Sequence, residues 1–200
     1  MKQHKGLSKK IIAGRFKGKL LKLPSQVTTR SSKAIVLESF FNTIQFDIID
    51  ATFVELFSGS GSVGLEALSR GASQVIFMER DLAALKTLKE NIAQTDPSRC
   101  QVVSGDTFMN IVQVVSRLKK LERDTYFYID PPFSIREGQE AIYDKTMKLV
   151  SSLPESVVKL IIIEHMTGLE VPNILGSFHL RKSKKFGKTS LSYFEAVAKI

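Results

Sequence analysis

The chain has 200 residues, of which 43% are hydrophobic, enough for one well-buried core. Its longest purely apolar runs are a few residues long, too short to cross a membrane, and its basic N-terminus lacks the apolar stretch of a secretion signal. A single cysteine, Cys100, excludes an internal disulfide and a cysteine-based metal cluster. We therefore expect a cytoplasmic protein with no metal site and no membrane contact.

The net charge of +9 is unevenly distributed. Residues 1–37 contain ten lysines and arginines and no acid, whereas the rest of the chain has 19 basic and 20 acidic residues. A second basic cluster lies at 181–188. Lysines and arginines that meet a phosphate backbone release its counterions, so two such regions favour a nucleic acid as partner, although a run of charge can also be a merely solvated segment.

The predicted elements begin with a basic β-hairpin or extended arm over 1–25 and a helix over 30–44. Strands are predicted at 52–57, 74–78, 101–104, 125–129, 157–164, 177–182 and 190–198, and the helices between them at 62–70, 81–93, 107–120 and 137–151. Alternating strands and helices predict an α/β fold with a mostly parallel, seven-stranded sheet, helices on both faces and a closing antiparallel hairpin. We divide the chain into the arm, 1–25, and a main domain, 26–200.

A glycine-rich turn joins the first strand of the main domain to its helix. It has the spacing G-x-G-x-x-G from Gly59 to Gly64, and Glu79 follows twenty residues after Gly59, at the end of the next strand. Glycines allow backbone to approach a ligand, and a carboxylate at that strand end can accept ribose hydroxyls. Asp106, after the third strand, could meet the exocyclic amine of adenine, or it could simply cap the helix that follows. These residues predict a site for an adenosine-bearing cofactor.

A second motif, Asp130-Pro131-Pro132-Phe133, follows the fourth strand. The two prolines stiffen the chain and remove two N–H donors, so the carbonyls project at fixed angles. The Asp130 carboxylate and the Pro131 carbonyl can accept the two hydrogens of an exocyclic base amine, and Phe133 can stack on the base. This favours methyl transfer from S-adenosylmethionine over hydride transfer with NAD, since nothing in the chain resembles the acid or base that a dehydrogenase needs.

The sequence resembles the RsmD family of bacterial methyltransferases, which methylate the guanine N2 amine in 16S rRNA. The resemblance is carried by IIAGRFKGKL at 11–20, ELFSGSG at 55–61, GLEALSRGA at 64–72 and DPPF at 130–133. It is also carried by Thr29-Arg30, Glu38, FFN at 40–42 and Phe186-Gly187. The chain departs from the family pattern at Ser31 and Lys33-Ala34. The resemblance implies a Rossmann-like class I methyltransferase fold that uses S-adenosylmethionine.

The same resemblance implies a set of site residues. Those assigned to the cofactor are Glu55, Phe57, Gly59, Ser60, Gly61, Glu79, Arg80, Asp106 and Thr107. Those assigned to the guanine are Asp130, Pro131, Pro132 and Phe133. The charge of the two basic regions, in turn, assigns to RNA the residues Lys9, Lys10, Arg15, Lys17, Lys19, Arg30, Lys184 and Lys185.

The expected partner is rRNA, within the small ribosomal subunit or an assembly intermediate of it, and the protein is expected to be a monomer. One alternative is an amino-methyltransferase that acts on adenine N6 or on DNA, because DPPF serves those amines through the same two hydrogen bonds. A different class of function is a non-catalytic RNA-binding or ribosome assembly factor that keeps a methyltransferase fold. An intact Asp130 argues against it, because a scaffold does not need a catalytic carboxylate.

Overall fold

The computed structural model describes residues 7–24, 31–121, 123–132 and 140–196, without the side chains of 31–33, 140 and 141. The helices are α1 (Ser31–Thr43), α2 (Ser62–Ser69), α3 (Leu82–Ala93), α4 (Thr107–Leu118) and α5 (Glu140–Ser152). The strands are β1 (Ser8–Lys10), β2 (Leu20–Lys22), β3 (Thr52–Leu56), β4 (Gln74–Glu79), β5 (Cys100–Ser104), β6 (Thr125–Ile129), β7 (Leu160–Met166), β8 (Ile174–Leu175), β9 (Phe178–Phe186) and β10 (Thr189–Ala196).

The main sheet has the strand order β5-β4-β3-β6-β7-β10-β9-β8. Strands β3 to β7 are parallel, and β8 to β10 are antiparallel to their neighbours. The predicted α/β fold is confirmed, with an eighth strand that the prediction lacked. That strand, β8, has only two residues and lies in the segment around Pro172 for which the sequence predicts a connection. The predicted strand at 157–164 is shifted, because Glu155–Val157 forms a 3-10 turn and the strand is Leu160–Met166.

Helices cover both faces of the sheet, as a parallel sheet requires. Successive strand residues point to opposite faces, so Phe53 packs with α1, α2 and α3 while Val54 packs with α4 and α5. All five residues of β3 and all five of β6 are buried. The centre of the sheet is therefore buried, and the charged residue of these two strands, Glu55, lies near the end of β3.

The topology places a crevice between β3 and β6. From β3 the chain moves outward through β4 and β5, then returns to the other side of β3 with β6 and β7. Ligands of open α/β sheets bind beyond the carboxyl ends of the strands at such a switch point. Leu56 pairs with Ile129, so the glycine loop and the DPPF motif leave the sheet side by side.

The N-terminal arm forms a sheet of its own. Strands β1 and β2 pair antiparallel, with Lys9 opposite Leu21. Ile11 and Leu21 are almost fully buried and belong to the same core cluster as α1, α2 and α3. The described part of the arm, 7–24, thus packs on the main domain. The proposed division at residue 25 lies outside the described residues and stays a prediction. Among the described residues, no helix has both the length and the hydropathy for a membrane span.

Candidate active site

The glycine loop begins with a left-handed residue. Phe57 has φ 58°, a conformation that costs a residue with a Cβ about 1–2 kcal/mol, and Gly59 and Gly61 follow at φ 53° and 74°. Ser58 holds the turn, because its hydroxyl shares its one hydrogen between the carbonyl oxygens of Glu55 (2.8 Å) and Met78 (3.1 Å). Such a strained turn, fixed by its neighbours, is a feature of ligand-binding loops.

The glycines differ in what surrounds them. A Cβ on Gly59 would meet nothing within 4 Å, so its backbone is open to a ligand. A Cβ on Gly64 would lie 2.5 Å from a ring carbon of Phe77 and 2.7 Å from Val75, so α2 can approach β4 only with glycine there. Open backbone at one glycine and close helix–strand packing at another are two of the roles of a nucleotide-binding fingerprint.

Glu79 is bound to the protein's own backbone. Its Oε2 accepts the N–H of Gly59 at 2.7 Å, and its Oε1 accepts the N–H groups of Arg80 and Asp81, each at 2.8 Å. The carboxylate therefore ties the end of β4 to the glycine loop. A carboxylate has about four acceptor positions, so these three bonds leave room for a ribose hydroxyl.

Glu55 lies beneath the glycine loop, near the end of β3. Burial raises the pKa of its carboxyl to about 8, although the Gly64 N–H, donating at 2.8 Å, and the nearby charge of Lys9 act in the opposite direction. Near neutral pH this carboxyl is thus mostly protonated. A cationic group in the adjoining cavity would favour the ionised form.

A cavity of about 420 Å³ lies between the glycine loop and the DPPF motif. Four of the predicted cofactor residues, Glu55, Phe57, Gly59 and Ser60, line it together with Asp130. Pro131 is buried next to Asp130, and Pro132 is exposed. Phe133 lies outside the described residues. The structure thus brings one end of the predicted cofactor site and the predicted catalytic carboxylate into one cavity.

The floor of this cavity contains two residues that we did not predict, Tyr128 and Glu164. Glu164 is 3% exposed, and the Tyr128 hydroxyl donates to its Oε2 at 2.6 Å. Burial, and next the charge of Glu164, hold the pKa of Tyr128 well above its usual value, so the phenol keeps its proton and acts as the donor. Glu164 ends a buried apolar run, as do Glu79 and Asp130, and that pattern could have revealed it.

The arm forms one wall of the cavity through Ser8, Lys9, Lys10, Ile12 and Leu23. Its backbone is held on α2, where the Glu66 carboxylate accepts the N–H groups of Ile12 (2.7 Å) and Ala13 (3.1 Å). The Ser69 hydroxyl accepts the Phe16 N–H at 2.9 Å. The arm is therefore part of the site's architecture, as well as a carrier of charge.

Asn91 on α3 joins the arm to the glycine loop. Its amide nitrogen donates to the carbonyl oxygens of Ser60 (2.9 Å) and Lys22 (3.0 Å), and its amide oxygen accepts the Lys22 N–H at 2.8 Å. Asn91 is fully buried. Its signal in the sequence is one amide in an otherwise apolar helix face that includes Leu88 and Ile92.

The remaining cofactor candidates lie outside the lining of this cavity. Gly61 and Thr107 are buried, and Arg80 is exposed. The Asp106 carboxylate accepts the Met109 N–H at 3.1 Å and so caps α4, which is the simpler of the two roles considered for it. Asp106 also lines a separate cavity of about 490 Å³ with Phe108, whose ring lies 5.6 Å from that of Phe57.

The candidate RNA-binding residues occupy three different environments. Lys9 is half-buried in the cavity wall, while Lys10 and Lys17 are exposed on the arm. Two others contact the main domain: Arg15 pairs with Asp96 at 3.2 Å, and the Lys19 ammonium donates to the Gln94 carbonyl. Lys184 and Lys185 are exposed on β9. Arg30 lies outside the described residues.

A protein-family model, described as Conserved hypothetical protein 95, matches residues 9–195. The chain belongs to this family, the RsmD family of rRNA methyltransferases. The resemblance on which we based the prediction is thereby confirmed. The family model begins within the arm, at Lys9, and ends on β10.

Relatives within and around the RsmD family match over nearly the whole chain. Ribosomal RNA small subunit methyltransferase D of Escherichia coli (strain K12) is 28% identical over 94% of this chain and 90% of its own. The candidate rRNA methyltransferase YlbH of Bacillus subtilis (strain 168) is 27% identical over 93% of this chain and 98% of its own. The solved structure of yhhF from Escherichia coli, described as a methyltransferase, has a TM-score of 0.74 at 26% identity, covering 96% of this chain and all of the other.

Membership in the RsmD family implies a methyl-donor cofactor of the S-adenosylmethionine type, and the geometry fits one. The open backbone at Gly59 could receive the ligand without a clash. The buried carboxyl of Glu55 faces the same cavity and is suited to a cationic group. Glu79, at the adjoining strand end, has the acceptor capacity for a ribose.

Proposed function

We propose that this protein transfers a methyl group from S-adenosylmethionine to the N2 amine of a guanine in 16S rRNA. The observation that carries the proposal is the shared cavity, where the glycine loop at the end of β3 and Asp130 at the end of β6 lie on adjacent strands. Membership in the RsmD family supports rRNA as the substrate and guanine N2 as the acceptor. We also propose that the protein acts in the cytoplasm, where rRNA is found.

The cofactor would be held by the loop and by the three carboxylates near it. Glu55 would face its ammonium group, and Glu79 would accept from its ribose while keeping the Gly59 N–H in place. Asp106 and Thr107, at the start of α4, would lie near the adenine. When bound, S-adenosylmethionine supplies a methyl group that is already activated by the sulfonium, so alignment provides most of the rate.

The protein's task is then to orient the amine. The Asp130 carboxylate would accept one hydrogen of the guanine amine and the Pro131 carbonyl the other, which directs the nitrogen lone pair toward the methyl group. The Asp130 carboxylate would also accept the proton that the nitrogen loses on methylation. Phe133 would stack on the base, which must be turned out of its helix.

The exposed lysines on the arm and on β9 would meet RNA phosphates. The arm carries Lys10, which lines the cavity, and Lys17, and Lys184 and Lys185 lie on β9. Phosphate contacts position an RNA without reading its sequence. The choice of nucleotide must then come from the shape of the RNA and from the cavity itself.

The test is mass mapping of 16S rRNA from cells that lack the gene, with and without the gene restored. We expect one guanine to lose its N2 methyl group and the wild-type gene to restore it. Asp130→Ala should fail to restore it, with methyl transfer reduced about 100-fold or more and cofactor affinity within a few-fold of wild type.

Asp124→Ala is the matched control, because Asp124 precedes the same strand at its opposite end and is exposed, 3.5 Å from the Lys159 ammonium. It should restore methylation fully. An Asp130→Ala protein that methylates normally would refute the catalytic assignment, and an unchanged 16S rRNA would refute the substrate.

A further inference from the structure

Glu164 stands beside the catalytic carboxylate. Strands β6 and β7 are parallel and pair Ile129 with Ile163, so Asp130 and Glu164 are the next residues on adjacent strands. Adjacent strands lie about 4.8 Å apart, and both side chains line the same cavity. A planar base that presents its edge to Asp130 therefore meets Glu164 as well.

The Glu164 carboxylate is held in one orientation. It is 3% exposed, and the buried Tyr128 hydroxyl donates to its Oε2 at 2.6 Å. Tyr128 also lines the cavity and precedes Asp130 by two residues, so it points to the same side of the sheet as Asp130. Glu164, which Tyr128 orients, lies beside Asp130 on β7. A buried acceptor that is fixed in this way is well placed to read a hydrogen-bond donor on a ligand.

Two neighbouring carboxylates match one particular base edge. Guanine presents its N1–H beside its N2 amine, two adjacent donors, whereas adenine presents an unprotonated N1 beside its N6 amine. An unprotonated ring nitrogen facing a carboxylate puts two acceptors against each other, which leaves both without a partner. The pairing of donors with acceptors thus favours guanine at this cavity floor.

We propose that Glu164 accepts the N1–H of the target guanine and thereby selects guanine over bases whose amine adjoins an unprotonated ring nitrogen. This inference rests on the proposed function, since it assumes that Asp130 receives the N2 amine. Asp130 serves any exocyclic amine, and Glu164 decides which base carries it. The specificity comes from two sources: the hydrogen bond that Glu164 forms with guanine, and the two facing acceptors that a base with an unprotonated ring nitrogen would create.

The first experiment needs no variant. The rRNA substrate is prepared with the target guanosine replaced by 2-aminopurine riboside, which keeps the N2 amine but has an unprotonated N1 and no O6. Single-turnover methylation by the wild-type protein is measured on both substrates. A site built to bond a donor rejects an analogue that lacks it, so we expect the 2-aminopurine substrate to react at least about 100-fold more slowly.

The second experiment assigns that discrimination to the side chain. Glu164→Gln keeps the size of the side chain and an oxygen for the Tyr128 hydroxyl, but its amide can donate to an unprotonated N1. We expect this variant to methylate guanine more slowly than the wild-type protein does. We also expect its methylation rates on guanine and on 2-aminopurine to differ by no more than about ten-fold. Tyr128→Phe, which leaves the carboxylate in place but removes its hydroxyl partner, should narrow the ratio by a smaller factor.

Glu170→Gln is the control, because Glu170 is exposed in the segment after β7 and lies outside the cavity lining. It should keep the wild-type ratio. Cofactor affinity and melting temperature show that each variant is folded.

Two results would overturn the role of Glu164 alone. One is that the wild-type protein methylates the two substrates at rates within about three-fold of each other, and the other is that a folded Glu164→Gln protein keeps the wild-type ratio of rates. A wild-type protein that methylates neither substrate would overturn the proposed function and this inference with it.

Discussion

The two basic regions of the molecule look alike in the sequence but differ in the structure. In the arm, several cations face the main domain: Arg15 pairs with Asp96 at 3.2 Å, and Lys22 pairs with Glu90 at 2.7 Å. On β9, Lys184 and Lys185 are exposed and, among the described residues, neither forms an ion pair; Lys184 reaches only the Ser39 hydroxyl, at 3.4 Å.

The difference shows that a run of positive charge can serve two purposes. The arm is fixed on α2 and α3 through buried acceptors, and it forms a wall of the cavity. Strand β9 is held by backbone pairing with β8 and β10. On it, Arg181 pairs with Glu195 at 3.3 Å and Lys182 lies over the Tyr193 ring, whereas the side chains of Lys184 and Lys185 are exposed. We infer that the arm is needed for the site to form, whereas β9 contributes mainly long-range attraction for RNA.

The largest effect should come from detaching the arm. Gly14 has φ 80°, and a Cβ there would lie 1.8 Å from the Ser69 carbonyl oxygen, which also accepts the Arg15 N–H at 2.7 Å. Gly14→Ala should therefore lower the free energy of unfolding by about 3 kcal/mol. This is the cost of the left-handed conformation for a residue with a Cβ added to the cost of the clash with the Ser69 backbone. Denaturant unfolding measures this, and methylation should fall with it.

Gly18→Ala separates the two causes. Gly18 has a similar φ, 85°, but a Cβ there would meet nothing within 4 Å. It should cost only about 1 kcal/mol, from the backbone conformation alone. Equal losses for the two variants would mean that contact with α2 does not hold the arm in place.

Much of this organisation was predictable, because it depends on local patterns. The alternation of apolar strands and amphipathic helices predicts the sheet, and the spacing of Gly59, Gly64 and Glu79 predicts a loop beside a carboxylate. Contacts between distant segments were not predictable in this way. Nothing near residue 91 indicates that its amide meets Lys22, and the burial of Glu66 depends on an arm more than fifty residues away.

The Asp106 hypothesis shows a different limit. Its position after β5 suits both a helix cap and an adenine contact, and the residue pattern is the same for each. The structure shows the cap, with the Met109 N–H donating at 3.1 Å. The role of a single acidic residue at a strand end can therefore be inferred only once its spatial neighbours are known, as they are for Asp130 and Glu164.

A smaller effect should follow from cutting the link between the arm and the glycine loop. Asn91→Ala leaves the Lys22 N–H and the Ser60 carbonyl without the amide that now satisfies them. We expect a loss of about 1–3 kcal/mol in unfolding free energy and weaker cofactor binding, because Ser60 lines the cavity. Calorimetric titration with S-adenosylmethionine measures the second effect.

Gln94→Ala is the control for Asn91. Gln94 is at the exposed end of the same helix, and its side-chain amide only donates to the Glu90 carbonyl, at 3.3 Å. It should leave cofactor affinity unchanged. If Asn91→Ala binds the cofactor normally, the arm and the loop are independent, and the arm is no more than an attached basic segment.

The smallest effect should come from charge alone. Each phosphate contact removed from a single-stranded RNA complex lowers the slope of log affinity against log salt by about 0.7. Replacing both Lys184 and Lys185 by alanine should lower the slope by about 1.4, with cofactor binding unchanged.

The matched control is the double variant in which Arg15 and Lys22 are both replaced by alanine. It should lower the slope by less than half as much, because these two cations already face Asp96 and Glu90. Filter binding across a salt series measures both slopes. Equal decreases would show that the ion pairs with Asp96 and Glu90 open when RNA binds, and the contrast between the two basic regions would then hold only for the free protein.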